Sequence, residues 1–351
     1  MKVLLLSRYG AMGASSRVRF LQYLPYFKAQ GVNVSVVPLF SDAYVRALYE
    51  GGSRWREVVA GYIRRIGALL HVRRFDVVIV EKELFPFLPA FAERLLRVSG
   101  VPYVVDYDDA LFHRYDLHSS KLVRGVLGRK IDAVMRHAAV VVAGNDYLAE
   151  RARQAGARRV ELIPTVVDTH RYQPRQAPPN ETPVIGWIGT PNTSRYLQPL
   201  LPVFEALQAR MPVRVLAVGA RPEDFAGTPV ETLPWSEETE VESIQQFDIG
   251  IMPLADSPWE RGKCGYKLIQ CMACGVPVVA SPVGVNTVIV NPGKNGLLAR
   301  DDEWDEHLTT LLQDPELRRS FGAEGRKDVE NWYSLEVQAP RLLNAIREAA
   351  S

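Results

Sequence analysis

Two glycines and two lysines crowd one short stretch of this chain, Gly262-Lys263-Cys264-Gly265-Tyr266-Lys267, and their spacing suits a phosphate. The apolar run 248–253 predicts a strand leading into the stretch, and a helix is expected from about Gly265 to Cys274. Gly262 and Gly265 allow a tight turn and a close backbone approach to a ligand. A helix start offers unpaired N–H groups and a positive dipole end, which together favour an anion. Lys263 and Lys267 are four residues apart and share one helical face near that end. Two lysines at a helix start match a diphosphate. The competing reading is an ordinary buried strand–helix–strand unit whose lysines are merely solvated.

A second cluster ends the apolar run 102–106: Asp106-Tyr107-Asp108-Asp109. Three carboxylates so close repel one another, so at least one needs a raised pKa or a basic partner. At a strand end they are placed to orient or deprotonate a hydroxyl, or else to cap the next helix. Glu83, after the apolar run 76–80, is a further candidate. Tyr9-Gly10-Ala11-Met12-Gly13-Ala14-Ser15-Ser16-Arg17-Val18-Arg19 forms a glycine-rich loop before a helix. Gly10 and Gly13 are a weak dinucleotide signal on their own. Gly13, Ser15 and Ser16 line such a loop, and Arg17 and Arg19 add forked anion donors unless they sit on a solvated helix. Residues 44–75 interleave Trp55, Tyr62, Leu69, Leu70 and Phe75 with Arg56, Arg64, Arg65, Arg73 and Arg74. That pattern suits either a helix lying on anionic lipid or a core helix with a basic outer side.

These groups need elements to position them. Apolar runs at 2–7, 34–38, 76–80, 102–106, 139–143 and 160–164 alternate with helical patterns such as 16–30, 84–98 and 146–155. After the proline-rich stretch 173–183 the alternation restarts with 184–188, 214–218, 248–253, 276–280 and 296–299, and another strand is expected just before Leu233-Pro234-Trp235. Helical patterns at 314–330 and 335–350 end the chain. Such alternation means parallel, doubly wound α/β sheets. The expected organisation is a first domain at 1–173, a hinge at 174–183, a second domain at 184–333 and a terminal helix at 334–351. Ligands in such sheets bind beyond the carboxyl ends of the strands.

Of 351 residues, 47% are hydrophobic and 23% charged, the balance of a globular protein. The net charge of +2 conceals an asymmetry: residues 1–170 carry 25 Lys/Arg against 16 Asp/Glu, and the remainder 17 against 24. The basic half is expected to meet an anionic partner, a membrane surface being one. No reading motif for nucleic acid accompanies the charge. Neither half has the glycine fingerprint of a nicotinamide dehydrogenase. The opening apolar stretch stops at Ser7, so it reads as a buried first strand rather than an export signal. Cys264, Cys271 and Cys274 are odd in number and lack a second ligand pair, which fits small packed residues in a reducing compartment. The expected location is cytoplasmic, peripheral on the inner face of the cell membrane where the basic aromatic stretch docks.

The run 268–281, Leu-Ile-Gln-Cys-Met-Ala-Cys-Gly-Val-Pro-Val-Val-Ala-Ser, resembles the E-A-M-A-x-G-x-P-V-V-A helix of retaining GT-B glycosyltransferases of family 4, the bacterial group 1 enzymes. Ile163-Pro164-Thr165-Val166-Val167-Asp168 is similar to that family's I-P-N-G-V-D. Ile185-Gly186-Trp187-Ile188-Gly189-Thr190 is similar to the strand and glycine that open its donor domain. The resemblance implies two Rossmann-like domains facing across a cleft, with a C-terminal helix crossing back to the first.

The same resemblance implies donor contacts at Gly189, Thr190, Arg195, Pro234, Trp235, Lys263, Gly265, Tyr266, Lys267 and Gln270. It implies acceptor contacts at Gly13, Ser15, Ser16, Arg17, Arg19, Glu83 and Asp106, and catalytic roles for Asp108, Asp109 and Lys267. The family's two glutamates, eight positions apart, fall here on Gly262 and Gln270. Gln270 still hydrogen-bonds a ribose, whereas Gly262 leaves only Glu260 nearby. The family's arginine falls on Thr190, with Arg195 close behind. The implied reaction retains anomeric configuration without a metal, and protein cations meet the charge of the departing diphosphate. The Asp-x-Asp metal motif of single-domain GT-A enzymes is set aside because their layout lacks a second nucleotide-binding half. No cofactor is expected beyond a UDP- or GDP-sugar, and the acceptor is a saccharide or lipid-linked. The rival readings are a nucleotide-sugar epimerase of the same fold and a silent sugar-nucleotide-binding protein.

Overall fold

In the computed structural model the chain is described over residues 1–176 and 180–351, so residues 177–179 of the expected hinge lie outside the described residues. The apolar runs fold as two six-stranded sheets. The first contains β1 (Lys2–Leu6), β2 (Asn33–Val36), β3 (Val77–Glu81), β4 (Tyr103–Tyr107), β5 (Val140–Ala143) and β6 (Val160–Leu162), in the order β2-β1-β3-β4-β5-β6. The second contains β7 (Val184–Ile188), β8 (Arg214–Val218), β9 (Val230–Leu233), β10 (Ile249–Met252), β11 (Val278–Ala280) and β12 (Gly296–Leu298), in the order β12-β11-β10-β7-β8-β9. All the pairings are parallel. Parallel strands require crossovers, and helices on both faces bury the strands from both sides. Every residue of β3, β4 and β7 is accordingly buried.

The first unit comprises Met1–Thr165, Arg261–Cys264 and Gln338–Ser351, and the second Val166–Glu260 and Gly265–Val337. The chain leaves the first unit at Thr165, ahead of the expected hinge. Backbone bonding explains this: Val167 N–H donates to the Tyr333 carbonyl at 3.0 Å and Leu335 N–H to that of Val167 at 2.9 Å. The end of the helix Leu335–Ala350 belongs to the first unit, where Arg341 donates to the Leu162 carbonyl at 3.1 Å.

Two expected helices are shorter than their patterns. The pattern 16–30 breaks at Phe20 into Ala14–Arg19, a 3-10 turn Leu21–Tyr23 and Leu24–Ala29. The pattern 84–98 yields only Phe91–Val98, because Pro86 and Pro89 remove helix donors ahead of it. Arg65 also departs from expectation. It is fully buried in the helix Trp55–Leu70 and donates to the carbonyls of Leu6 and Ser7, so it is no part of a basic outer side.

Candidate active site

In the first unit the ends of β1, β3 and β4 bring together a charged cluster. Glu81, the last residue of β3, accepts Arg8 N–H at 2.7 Å and the Ser16 hydroxyl at 2.6 Å. Ser16 in turn accepts Tyr9 N–H at 2.9 Å, which fastens the glycine-rich loop to the sheet. Ser15 Oγ lies 3.0 Å from Glu81 Oε1 and 2.8 Å from Asp108 Oδ2, and its single proton serves one carboxylate at a time. Gly13 precedes the helix Ala14–Arg19, and a Cβ there would stand 2.2 Å from that of Tyr9. Arg17 is half-buried and reaches the Ala11 carbonyl at 3.4 Å.

The carboxylates divide by partner. Asp106 is buried and gripped by Arg19, whose Nε donates to Oδ2 at 3.0 Å and whose Nη2 donates to Oδ1. Arg19 also donates to the Ile163 carbonyl at 3.1 Å. Expected to hold an acceptor, these two residues instead satisfy each other inside the unit. Glu83 departs from expectation in the same way: it accepts from Lys130 and from the Tyr115 hydroxyl at 2.7 Å, with Arg8 at 3.5 Å. Burial would raise the Glu83 pKa, but Lys130 and Arg8 hold it below the usual range.

Asp108 and Asp109 share Lys82, whose Nζ stands 2.8 Å from Asp108 Oδ1 and 3.5 Å from Asp109 Oδ2. Burial pushes the Asp108 pKa up, yet Lys82, Arg19 and the Ser15 hydrogen bond bring it down to about 2. That makes Asp108 a weak base and an enduring negative charge. Asp109 is the more open carboxylate and meets Lys263 Nζ at 3.4 Å.

The two lysines of the glycine-rich stretch fall in different units. Lys263 belongs with Arg261–Cys264 to the first unit, and Lys267 to the second. Gly262 is packed against Ala110, and Asn145 Nδ2 donates to the carbonyls of Gly262 and Lys263 at 3.1 and 2.9 Å. All three cysteines are buried and free, and burial pushes the Cys274 thiol up to about 12.

In the second unit Gly265, with φ +63, starts the helix Tyr266–Ala273. Lys267 lies in its first turn, with Nζ 4.8 Å from the centre of the Trp187 ring. A Cβ on Gly189 would stand 2.4 Å from that ring and 2.9 Å from Lys267 Cε, so the glycine makes room for the lysine. Thr190 N–H donates to Thr193 Oγ1 at 3.1 Å. Exposed Arg195 stacks on Tyr196 and stands 3.9 Å from Glu260, a buried carboxylate that also accepts from Tyr196 and Ser257. Gln270, expected at a ribose, is buried and donates to the Tyr172 oxygen at 3.1 Å. Tyr172 donates to Glu240, which accepts Trp235 Nε1–H at 2.8 Å, and Tyr266 lies 3.4 Å from the Tyr172 oxygen. Pro234, beside Trp235, is exposed.

Two family descriptions match the chain in sequence: "Glycosyl transferase 4-like domain" over residues 5–179 and "Glycosyl transferases group 1" over residues 182–314. The chain belongs to the group 1, family-4-like glycosyltransferases. It is 28% identical over 226 residues to a D-inositol 3-phosphate glycosyltransferase of Rhodococcus jostii, covering 56% of this chain and 48% of that one. The chain thus spans about half the length of the curated relatives it matches. Among solved structures it is similar to sucrose-phosphate synthase from Thermosynechococcus elongatus, with a TM-score of 0.75, 15% identity and both chains covered in full. It is also similar to Anabaena HepE in complex with UDP and glucose, with a TM-score of 0.71, 16% identity and 99% of each chain covered. The fold is that of a GT-B glycosyltransferase, with two Rossmann-like units.

Several residues that organise these two units escape a reading of the sequence: Lys82, Glu81 and Asn145 in the first unit, and Tyr172, Glu240 and Tyr196 in the second. Only Lys82 leaves a local trace. Glu81-Lys82-Glu83 places alternating charge directly after an apolar strand, where solvated loop residues are the usual expectation.

Proposed function

We propose that this glycosyltransferase moves a sugar, with retention, from a nucleoside-diphosphate sugar to a hydroxyl of a saccharide or lipid-linked acceptor in bacterial surface polysaccharide or glycoconjugate synthesis. Lys267 carries the donor half of this reading. It stands in the first turn of a helix begun by a left-handed glycine and rests on Trp187 beside a glycine that leaves it space. An ammonium and the positive end of a helix dipole together stabilise a departing diphosphate without a metal. Trp235, tied to Glu240, offers a face for the base. Lys267→Ala should weaken UDP or GDP binding by about 1–3 kcal/mol, the worth of a charge-assisted hydrogen bond, in calorimetry run in excess chelator. The preferred nucleotide of the unsubstituted protein raises its melting temperature by mass action. Unchanged affinity in the variant would sink the assignment.

We further propose that the first unit docks on an anionic membrane. Trp55, Val59, Ile63, Ile66 and Leu70 are exposed at helical spacing on Trp55–Leu70, and Phe91, Leu95 and Val98 are exposed on Phe91–Val98. Phe87, in a left-handed conformation, stands exposed between the two helices in sequence. Arg64, Arg73 and Arg74 flank the first stripe and are exposed. No described helix is long and apolar enough to cross a membrane. An apolar stripe beside arginines suits interfacial docking, each cation contributing about 1 kcal/mol near the surface. Co-sedimentation with phosphatidylserine vesicles should rise with anionic lipid and fall with salt. Replacing Arg64, Arg73 and Arg74 with Ser, together with Leu70→Ser, should abolish it and leave hydrolysis of a soluble donor intact. Indifference to anionic vesicles at low salt removes the membrane from the reading.

A further inference from the structure

Lys82 sits at φ +69, a left-handed backbone that strains any residue but glycine, and among the described residues Phe87 is the one other non-glycine case. Its N–H still donates to the Asp106 carbonyl at 3.0 Å, so the kink falls at the last rung between β3 and β4. The side chain is buried, and a buried ammonium is unfavourable unless carboxylates compensate it. Strain and desolvation both oppose stability here, a combination that collects at functional sites. What they achieve is visible in the partners. Asp108 is occupied on one oxygen by Lys82 and on the other by Ser15. Asp109 keeps a side chain 29% exposed, with Lys82 against one oxygen and Lys263 against the other.

We propose that Lys82 is a positioning residue of the acceptor site, its ammonium fixing Asp108 and Asp109 so that Asp109 presents its open edge to the acceptor hydroxyl. This rests on the glycosyltransferase reading of the same residues. In the transfer, the acceptor oxygen bonds to the anomeric carbon as that carbon's bond to the diphosphate oxygen breaks. The bonding pair leaves with the diphosphate, and the hydroxyl proton passes to the Asp109 carboxylate that accepts its hydrogen bond. Asp109 accepts the hydroxyl's hydrogen bond and aims its lone pair, and Lys82 holds Asp109 in place.

Asp108 is faced by Lys82 from the end of β3, by Ser15 (which also reaches Glu81 on β3) and Arg19 from Ala14–Arg19, by Asp106 on β4, by Asp109 next to it in the chain and by Cys264. Burial raises its pKa, and Lys82 is the largest force lowering it. Removing the ammonium therefore raises the pKa. Asp108 then takes up a proton at a higher pH, and the acidic limb of the rate profile moves upward.

Hydrolysis of UDP-glucose and GDP-mannose, with water as the probe acceptor, tests this alongside UDP and GDP affinity. In Lys82→Met the hydrolysis kcat should fall by about tenfold or more, as expected when a reacting group loses its orientation. Nucleotide Kd should stay within about twofold, the acidic limb should move up, and Lys82→Arg should recover part of the rate. A wild-type rate with an unmoved limb overturns the proposal, as does a nucleotide affinity that falls in step with the rate. Should the Met variant fail to fold, Lys82→Met/Asp108→Asn removes both charges of the buried pair. Lost hydrolysis with intact nucleotide affinity in that double variant supports the proposal, and undiminished hydrolysis overturns it. Failure of the glycosyltransferase reading itself appears elsewhere, in unsubstituted protein that binds no nucleotide.

Discussion

Arg19→Met is expected to cost about 3–5 kcal/mol of stability, because it leaves the Asp106 carboxylate buried without its partner. Two of the lost hydrogen bonds go to Asp106 and a third to the Ile163 carbonyl, which ties the first helix to the segment after β6. The effect belongs to folding rather than to ligand binding, since Arg19 is buried and its guanidinium is engaged on both sides. The double variant Arg19→Met/Asp106→Leu separates the two roles. It replaces a buried ion pair with apolar groups, a change that is often neutral, so most of the stability should return. Urea denaturation followed by circular dichroism measures both variants. A single variant of wild-type stability that has lost only transfer would return Arg19 to the acceptor site.

The architecture was legible because parallel strands buried on both faces read as short apolar runs, and each of those runs became a strand. Helix ends were less legible where one residue interrupts a pattern, as Phe20 does, or where prolines sit inside one, as at Pro86 and Pro89. The candidate site shows a sharper limit. Residue types at strand ends and helix starts named Ser15, Ser16, Asp108, Asp109 and Lys267 as chemistry-bearing. Their pairing was invisible, because Arg19 and Asp106 are 87 residues apart and Lys130 and Glu83 are 47 apart. Spacing along a chain reports neighbours on one element, not partners that a sheet brings together. Lys82 was hidden for a related reason: a left-handed conformation announces itself through glycine or asparagine, and a lysine there is held only by its tertiary partners.

Gly262→Glu, which supplies the glutamate that the family resemblance implies at this position, is expected to destabilise the protein by about 3 kcal/mol or more, through overpacking and a buried charge. A Cβ at 262 would stand 2.4 Å from Ala110 Cβ and 2.7 Å from Ala110 N, so the obstacle includes backbone that cannot rotate away. Retreat by the loop is blocked as well, because Asn145 holds the Gly262 and Lys263 carbonyls and Cys264 Sγ donates to the Asp108 carbonyl. Gly262→Ala should cost about 1–3 kcal/mol by the same clash. Ala110→Gly should relieve only part of that cost, since it removes the Cβ contact and leaves the backbone nitrogen. The packing of Gly262 against Ala110 leaves no room here for the glutamate that the resemblance implies. A carboxylate for the donor sugar, if the reaction needs one, has to come from a different place. Glu260 is the structural candidate, held by Tyr196 and Ser257 in the second unit with Arg195 nearby. Donor hydrolysis by Glu260→Gln and by Gly262→Glu decides between the two. Loss of hydrolysis in Glu260→Gln with nucleotide affinity retained assigns the role to Glu260, whereas a stable and more active Gly262→Glu protein would show that the loop opens to accept the family's arrangement.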